Sequence, residues 1–168
     1  MLGVSSVFGV PLHPLVVHAA VVLVPLSAVA MIGLCWKSDW RRRYGLPIAL
    51  LAIGGAVAAL LAAQTGSDLE ATIRQAASAA GTRARFGDHP EQGDTAKVFA
   101  VFFAMAAAGL WVLETWRERL RLQAWTAPAA YAATSGLGLV AIATIVIAGH
   151  SGAALVWKDL GNFVSAKR

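Results

Sequence analysis

The sequence is poor in charge. Charged residues make up 14% of the 168 positions and hydrophobic residues 58%, whereas a soluble domain averages roughly 25% charged residues. The segment from Val10 to Trp36 contains no Lys, Arg, Asp or Glu. About 20 apolar residues at about 1.5 Å each cross the hydrocarbon core of a bilayer. The deficit of charge therefore argues against an ordinary soluble domain and predicts a membrane protein.

Several chemical patterns are also missing. The single cysteine, Cys35, excludes an internal disulfide, and no C-x-x-C-H attaches a haem covalently. The sequence contains no H-E-x-x-H or Ser-His-Asp pattern that would indicate a hydrolase. No basic region precedes the first apolar run, so we interpret that run as a retained helix and not as a cleaved signal. The net charge is +5, and the basic residues lie beside apolar segments. There they orient the helices in the membrane and contact lipid headgroups, so we expect no nucleic-acid partner.

Four apolar segments predict one all-α domain, residues 1–168, built as an up-down bundle of four transmembrane helices. The predicted spans are about 14–36, 46–64, 96–116 and 128–149. The polar stretch between the second and third spans should contain a helical extramembrane segment. There the S-x-x-E sequence at Ser67 has the form of a capping box, which predicts a separate short helix reaching about Ala80.

The distribution of basic residues predicts the orientation. The two short connections are dense in arginine and lysine: Lys37, Arg41, Arg42, Arg43, Arg117, Arg119 and Arg121. The other side carries as many basic residues over longer segments, so density near the span ends decides the matter. We expect a multi-pass protein of a bacterial plasma membrane with both termini outside.

All four histidines should lie on one face of the bundle: His13, His18, His89 and His150. Each alone has an ordinary explanation as a polar residue at a helix end or in a loop. His18 is the exception because it lies inside an apolar helix, where an ionisable side chain is a functional candidate. Together the four imidazoles suggest a ligand set for haem iron, zinc or copper.

Neighbouring residues could complete such a site. Small residues that leave room beside the histidines are Gly66, Gly93, Gly149 and Gly152, and possible acceptors for imidazole N–H groups are Asp68, Glu70, Asp88 and Asp94. Phe99, Phe102 and Phe103 could wall the pocket, although such aromatic residues more often contact lipid or the core. The sequence makes His18 the first axial candidate, with His89 or His150 opposite and His13 less favoured.

The sequence resembles the bacterial membrane proteins of domain-of-unknown-function family 2231. The resemblance lies in Leu12–His18 (LHPLVVH), Gln64–Asp68 (QTGSD), His89, and Gly149–Trp157 (GHSGAALVW). It implies a four-helix membrane domain and supplies no established activity. Some relatives are joined to Rieske-type or cytochrome c-type domains, which favours electron transfer. The family usually has an aromatic residue and a proline where Ala19 and Ala20 stand here.

The leading hypothesis from sequence is a membrane protein that binds haem b non-covalently near one face and passes electrons to a redox partner or quinone. The first alternative is a zinc or copper site in a binding or sensing protein. The second is a structural subunit of a larger membrane complex whose histidines bind nothing. Lipid contact is expected in every case, and a homo-oligomer is compatible with each.

Overall fold

The protein folds as a four-helix bundle. The computed structural model describes residues 6–7, 10–121 and 123–165, and side chains within 12–121 and 123–157. The elements are β1 (Ser6–Val7), β2 (Val10–Pro11), α1 (Leu12–Trp36), α2 (Ser38–Ala79), α3 (His89–Trp116) and α4 (Thr126–Ser165). The two short strands pair antiparallel just before α1. The predicted all-α architecture of four long helices is confirmed.

The four helices form a closed ring. Each helix packs on its neighbours in sequence, and α1 also packs on α4. The centre is filled mainly by alanines, with a few larger side chains such as Val24, Met31 and Phe103 that are fully buried. Small residues allow the helix backbones to approach closely, which is how helices associate in lipid.

Large apolar side chains cover the outside of the ring. Val22, Leu26 and Val29 of α1 are more than half exposed, as are Phe102 and Met105 of α3. All four helices are long and apolar enough to cross a membrane. Because such a surface suits hydrocarbon and not water, the protein is a multi-pass membrane protein whose helices contact lipid.

The polar segment after the second span is helical, but it is not a separate helix. α2 continues through it without a break to Ala79. Ser67 lies inside this helix, where its hydroxyl donates to the carbonyl of Gln64 at 2.8 Å and caps no new helix. The expected helix start at Ser67 is therefore wrong, because Gly66 just before it stays helical and the alanine-rich segment that follows continues a helix readily.

The first basic connection is shorter than expected. Only Lys37 separates α1 from α2, and Arg41 already lies in the helix with 7% of its surface exposed. Its Nε donates to the carbonyl of Leu34 at 2.8 Å and its Nη2 to that of Cys35 at 3.1 Å. The guanidinium also lies 4.7 Å from the centre of the Tyr131 ring. Arg41 thus satisfies carbonyls that the end of α1 leaves free.

The turn between α2 and α3 depends on two glycines. Gly81 has φ +68° and Gly87 has φ +54°, which is the left-handed conformation that glycine adopts without strain. Asp88 follows as the N-cap of α3 but makes no capping bond through its side chain, and Pro90 lies in the first turn. At the other end, α4 continues to Ser165, beyond the predicted end of the fourth span at about residue 149.

Candidate functional site

His13 lies at the start of α1 and packs against α2. A Cβ added to Gly66 would come within 3.0 Å of the imidazole Cε1 atom, so the ring fits there only because residue 66 is glycine. Nδ1 lies 2.9 Å from the carbonyl oxygen of Ala62. A carbonyl only accepts, so Nδ1 carries the hydrogen and Nε2 is left with a free lone pair.

His89 has the same arrangement at the start of α3. Its ring packs on Gly152 of α4, where an added Cβ would lie 2.7 Å from Cε1. Nδ1 is 3.0 Å from the hydroxyl of Ser151. That hydroxyl donates its hydrogen to the carbonyl of Ala148 at 2.9 Å, so it accepts from His89 Nδ1. Nε2 of His89 therefore also keeps its lone pair.

The other two histidines lie elsewhere on the bundle. His18 is exposed on the outer surface of α1, and its Nδ1 is 2.6 Å from the carbonyl oxygen of Pro14 one turn earlier. His150 is exposed on α4. His13 and His89 lie at the starts of α1 and α3, at the same end of the bundle, and each packs on a glycine of a neighbouring helix. His18 and His150 make no such contact with a glycine among the described residues.

Only some of the glycines and carboxylates expected beside the histidines lie there. Gly66 and Gly152 contact imidazoles, whereas a Cβ at Gly93 or Gly149 would meet nothing within 4 Å. Glu70 lies within electrostatic range of His89. The remaining carboxylates, Asp68, Asp88 and Asp94, are exposed, and the last pairs with Lys97.

The expected aromatic wall is absent from the side chains that the structure describes around His89. Phe103 is fully buried in the core, Phe102 is 51% exposed on the outside of α3, and Phe99 packs partly buried against the core. None of them lines the hollow beside His89. Their positions agree with the ordinary explanation, that aromatic residues in membrane helices contact lipid or the core.

A hollow of about 180 Å³ adjoins His89 and is lined by Phe86, Gly87, Asp88, His89, Gln92, Ser151, Ala154 and Leu155. Within it, Oε1 of Gln92 is buried and has no hydrogen-bond partner among the described residues. Sequence reasoning missed Gln92, although it lies one turn after His89 and so faces the same side. Gln92 and His89 both line the hollow. Because buried polar groups are normally hydrogen-bonded, the unpaired acceptor of Gln92 makes this hollow a candidate site.

A larger hollow lies at the other end of the bundle. It holds about 340 Å³ and is lined by Arg41, Arg42, Trp111, Glu114, Thr115 and Glu118. Arg42 pairs with Glu118 at 2.8 Å, and Arg41 donates to backbone carbonyls of α1. The hollow contains no histidine, and the histidine face remains the stronger candidate for a site.

The donors of the histidine face are few. Within residues 6–7, 10–121 and 123–165, no three His, Cys, Asp or Glu side chains are grouped so that they could hold a metal ion. The site therefore offers two imidazoles, each with Nδ1 held and Nε2 free. Metal-binding histidines have this form, because a hydrogen bond from the second nitrogen fixes the tautomer and orients the ring.

Comparison with known families agrees with the fold. The family described as predicted membrane protein (DUF2231) matches residues 9–162. The chain belongs to this family. The match runs from before His13 to beyond Gly152, so both imidazole sites of this DUF2231 protein lie inside the family domain. No curated protein and no solved structure gives a significant match.

Proposed function

We propose that this DUF2231 protein binds haem b between the Nε2 atoms of His13 and His89 and takes part in electron transfer in the membrane. One observation carries the proposal: hydrogen bonds to Ala62 and Ser151 hold both Nδ1–H groups. Both Nε2 lone pairs are thereby left for iron. His89 starts α3 and His13 starts α1, so the two donors come from separate helices, as bis-imidazole ligation requires.

The donor set fits haem iron better than zinc. Structural zinc sites take four protein ligands and catalytic sites three, and the described residues offer no group of three. Haem iron needs at most two protein ligands, because the porphyrin nitrogens supply the rest. Two oriented imidazoles are therefore enough for haem.

The residues around the imidazoles define what the chain contributes. The Nδ1 hydrogen bonds orient the rings and raise the basicity of Nε2. His13 and His89 would hold a bound haem, which would supply one-electron chemistry. A quinone in the membrane or a redox partner at this face would then exchange the electron.

A second candidate is a copper ion held by the same two Nε2 atoms. The size of the hollow favours it, because about 180 Å³ is smaller than the roughly 300–1,000 Å³ of most small-molecule sites. The hollow by itself does not enclose a porphyrin. Imidazole suits copper as well as iron, so both candidates use the same ligands and differ in the bound group.

Absorbance of protein expressed with added haem and purified in mild detergent tests the proposal. We expect a Soret band that shifts on dithionite reduction, and its six-coordinate form should be lost in His13→Ala and in His89→Ala. His18→Ala and His150→Ala are the matched controls, since both side chains are exposed, and they should keep the band. A colourless protein that contains stoichiometric copper would replace haem by the second candidate. Absence of haem and metal, or a band lost only in His18→Ala, would contradict the proposed site.

A further inference from the structure

The two imidazole sites repeat each other in sequence. His13-Pro14 begins α1, and His89-Pro90 begins α3, 76 positions later. Thr65-Gly66 in α2 recurs as Ser151-Gly152 in α4, 86 positions later. The second separation is larger because only Lys37 joins α1 to α2, whereas residues 117–125 join α3 to α4.

The contacts repeat as well. In each site the ring packs on the glycine of the paired helix. In each site the residue before that glycine carries a hydroxyl near Nδ1, at 3.4 Å for Thr65 and 3.0 Å for Ser151. The carbonyl four residues before the glycine takes part in each site, but not identically: that of Ala62 accepts directly from His13 at 2.9 Å, whereas that of Ala148 accepts from the Ser151 hydroxyl at 2.9 Å. We call each set of histidine, hydroxyl and glycine an imidazole seat.

The core follows the same separations. The buried residues of α1 are Ala20, Val24, Ser27, Ala28, Met31 and Leu34, and the residues 76 positions later are the buried residues of α3. From Tyr131 to Ala148, each buried residue of α4 lies 86 positions after a buried residue of α2. The separations of 76 and 86 were read from the histidines, hydroxyl residues and glycines, and the buried residues match them without having been used to derive them. The correspondence between the two helix pairs therefore extends over most of each helix.

We infer that the bundle consists of two equivalent helix pairs, α1–α2 and α3–α4, and that their imidazole seats are the halves of one site that takes a single metal-centred ligand on the axis between them. α1 and α3 run in the same direction in an up-down ring. The pairs are therefore related by an approximate twofold axis along the membrane normal, as in transporters built from parallel repeats. The ligand part of this inference rests on the proposed function, whereas the equivalence of the seats does not.

The two halves are not identical at the site. Gln92, whose buried Oε1 has no hydrogen-bond partner in the described part of the chain, corresponds by the 76-residue separation to Val16, which packs against the core. Glu70 corresponds by the 86-residue separation to Val156. Both polar groups therefore lie near His89 or act on it, so the ligand meets equivalent imidazoles in unequal surroundings.

The equivalence of the seats is tested without any ligand. Nitrogen-15 NMR of histidine-labelled protein in detergent reports the tautomer of each ring, and single histidine variants assign the signals. We expect His13 and His89 both to carry hydrogen on Nδ1. Ser151→Ala should change the signal of His89 alone, and Ser151→Thr, which installs the hydroxyl of the other seat, should restore it. Thr65→Ser should leave His13 unchanged. Different tautomers at His13 and His89 would overturn the equivalence.

Titration of the same protein with haemin then tests the shared ligand. We expect saturation at one equivalent per chain, with both ring signals changing together. Saturation at two equivalents, or a change confined to one ring, would overturn the shared site while leaving haem binding in place. No change at either ring would contradict the proposed function and with it the single ligand, but the tautomer result would still decide the equivalence of the helix pairs.

Discussion

Gly152 lies directly against the imidazole of His89, and a Cβ at that position would come 2.7 Å from the ring's Cε1 atom. Contacts that short are not tolerated, so the ring and the helix fit only with hydrogen as the side chain. The first glycine–histidine contact of the bundle, at Gly66 and His13, is only slightly looser at 3.0 Å. Each ring is thus positioned by a glycine on the helix that packs against its own, His13 by Gly66 of α2 and His89 by Gly152 of α4.

Gly152→Ala should displace the His89 ring and break its hydrogen bond to Ser151, with a loss of about 1–3 kcal/mol typical of overpacking. Bound haem or copper should be lost with it. Gly149→Ala is the control, because a Cβ there meets nothing within 4 Å. Thermal unfolding in detergent and ligand content measure both effects. Equal behaviour of the two variants would contradict the packing of His89 on Gly152.

Gly55→Ala should destabilise the contact between α2 and α1. The added Cβ would lie 2.6 Å from Cγ2 of Val24 and 3.1 Å from its backbone nitrogen, and the backbone cannot yield as a side chain can. At Gly54 the nearest atom is 3.6 Å away. Gly54→Ala should therefore be neutral or gain up to about 1 kcal/mol from helix propensity. Thermal unfolding of the pair in one detergent decides the matter, and a stable Gly55→Ala would contradict it.

Arg41→Ala should lower the unfolding temperature clearly, since it leaves the carbonyls of Leu34 and Cys35 without their donors. Buried groups left unpaired cost about 1–3 kcal/mol each. Arg42→Ala is the control, because both side chains of its ion pair with Glu118 are exposed to solvent. Such surface pairs contribute about 0–1 kcal/mol. If the two variants unfold alike, Arg41 does not hold the end of α1.

Reporter fusions test the orientation, which is a prediction from sequence alone. Fusions after Arg43 and Arg121 should report the cytoplasm, and fusions at Arg83 and Arg168 the outside, because dense basic segments remain cytoplasmic. The opposite pattern would place the imidazole seats on the cytoplasmic side.

Composition was sufficient to predict the four membrane helices, because a bilayer permits few structures and each span is apolar over its whole length. The interruption expected at Ser67 could not be settled locally. A capping-box sequence caps a helix only where the chain has already left helical geometry, and Gly66 just before Ser67 remains helical. The predicted ends of α1 at Trp36 and of α3 at Trp116 agree with the structure, and the left-handed glycines Gly81 and Gly87 lie in the turn after α2.

The sequence placed all four histidines on one face, but it did not show which rings turn inward. That depends on the rotation of α1 about its own axis, and Gly66, more than fifty residues away, helps to set it. Burial of His18 was inferred from apolar neighbours, yet in a membrane helix apolar residues face lipid as well as the core. The pairing of His-Pro with hydroxyl-glycine was the available signal.

α2 has 42 residues and is therefore about 63 Å long at about 1.5 Å per residue, roughly twice the thickness of a bilayer's hydrocarbon core. Its last turns rise on the same side as the imidazole seats, and Arg74 lies 5.2 Å from the centre of the Phe86 ring as the chain returns. α4 also continues past its seat, from Ser151 to Ser165. The imidazole seats therefore lie below the ends of two helices and not at the outermost surface of the protein.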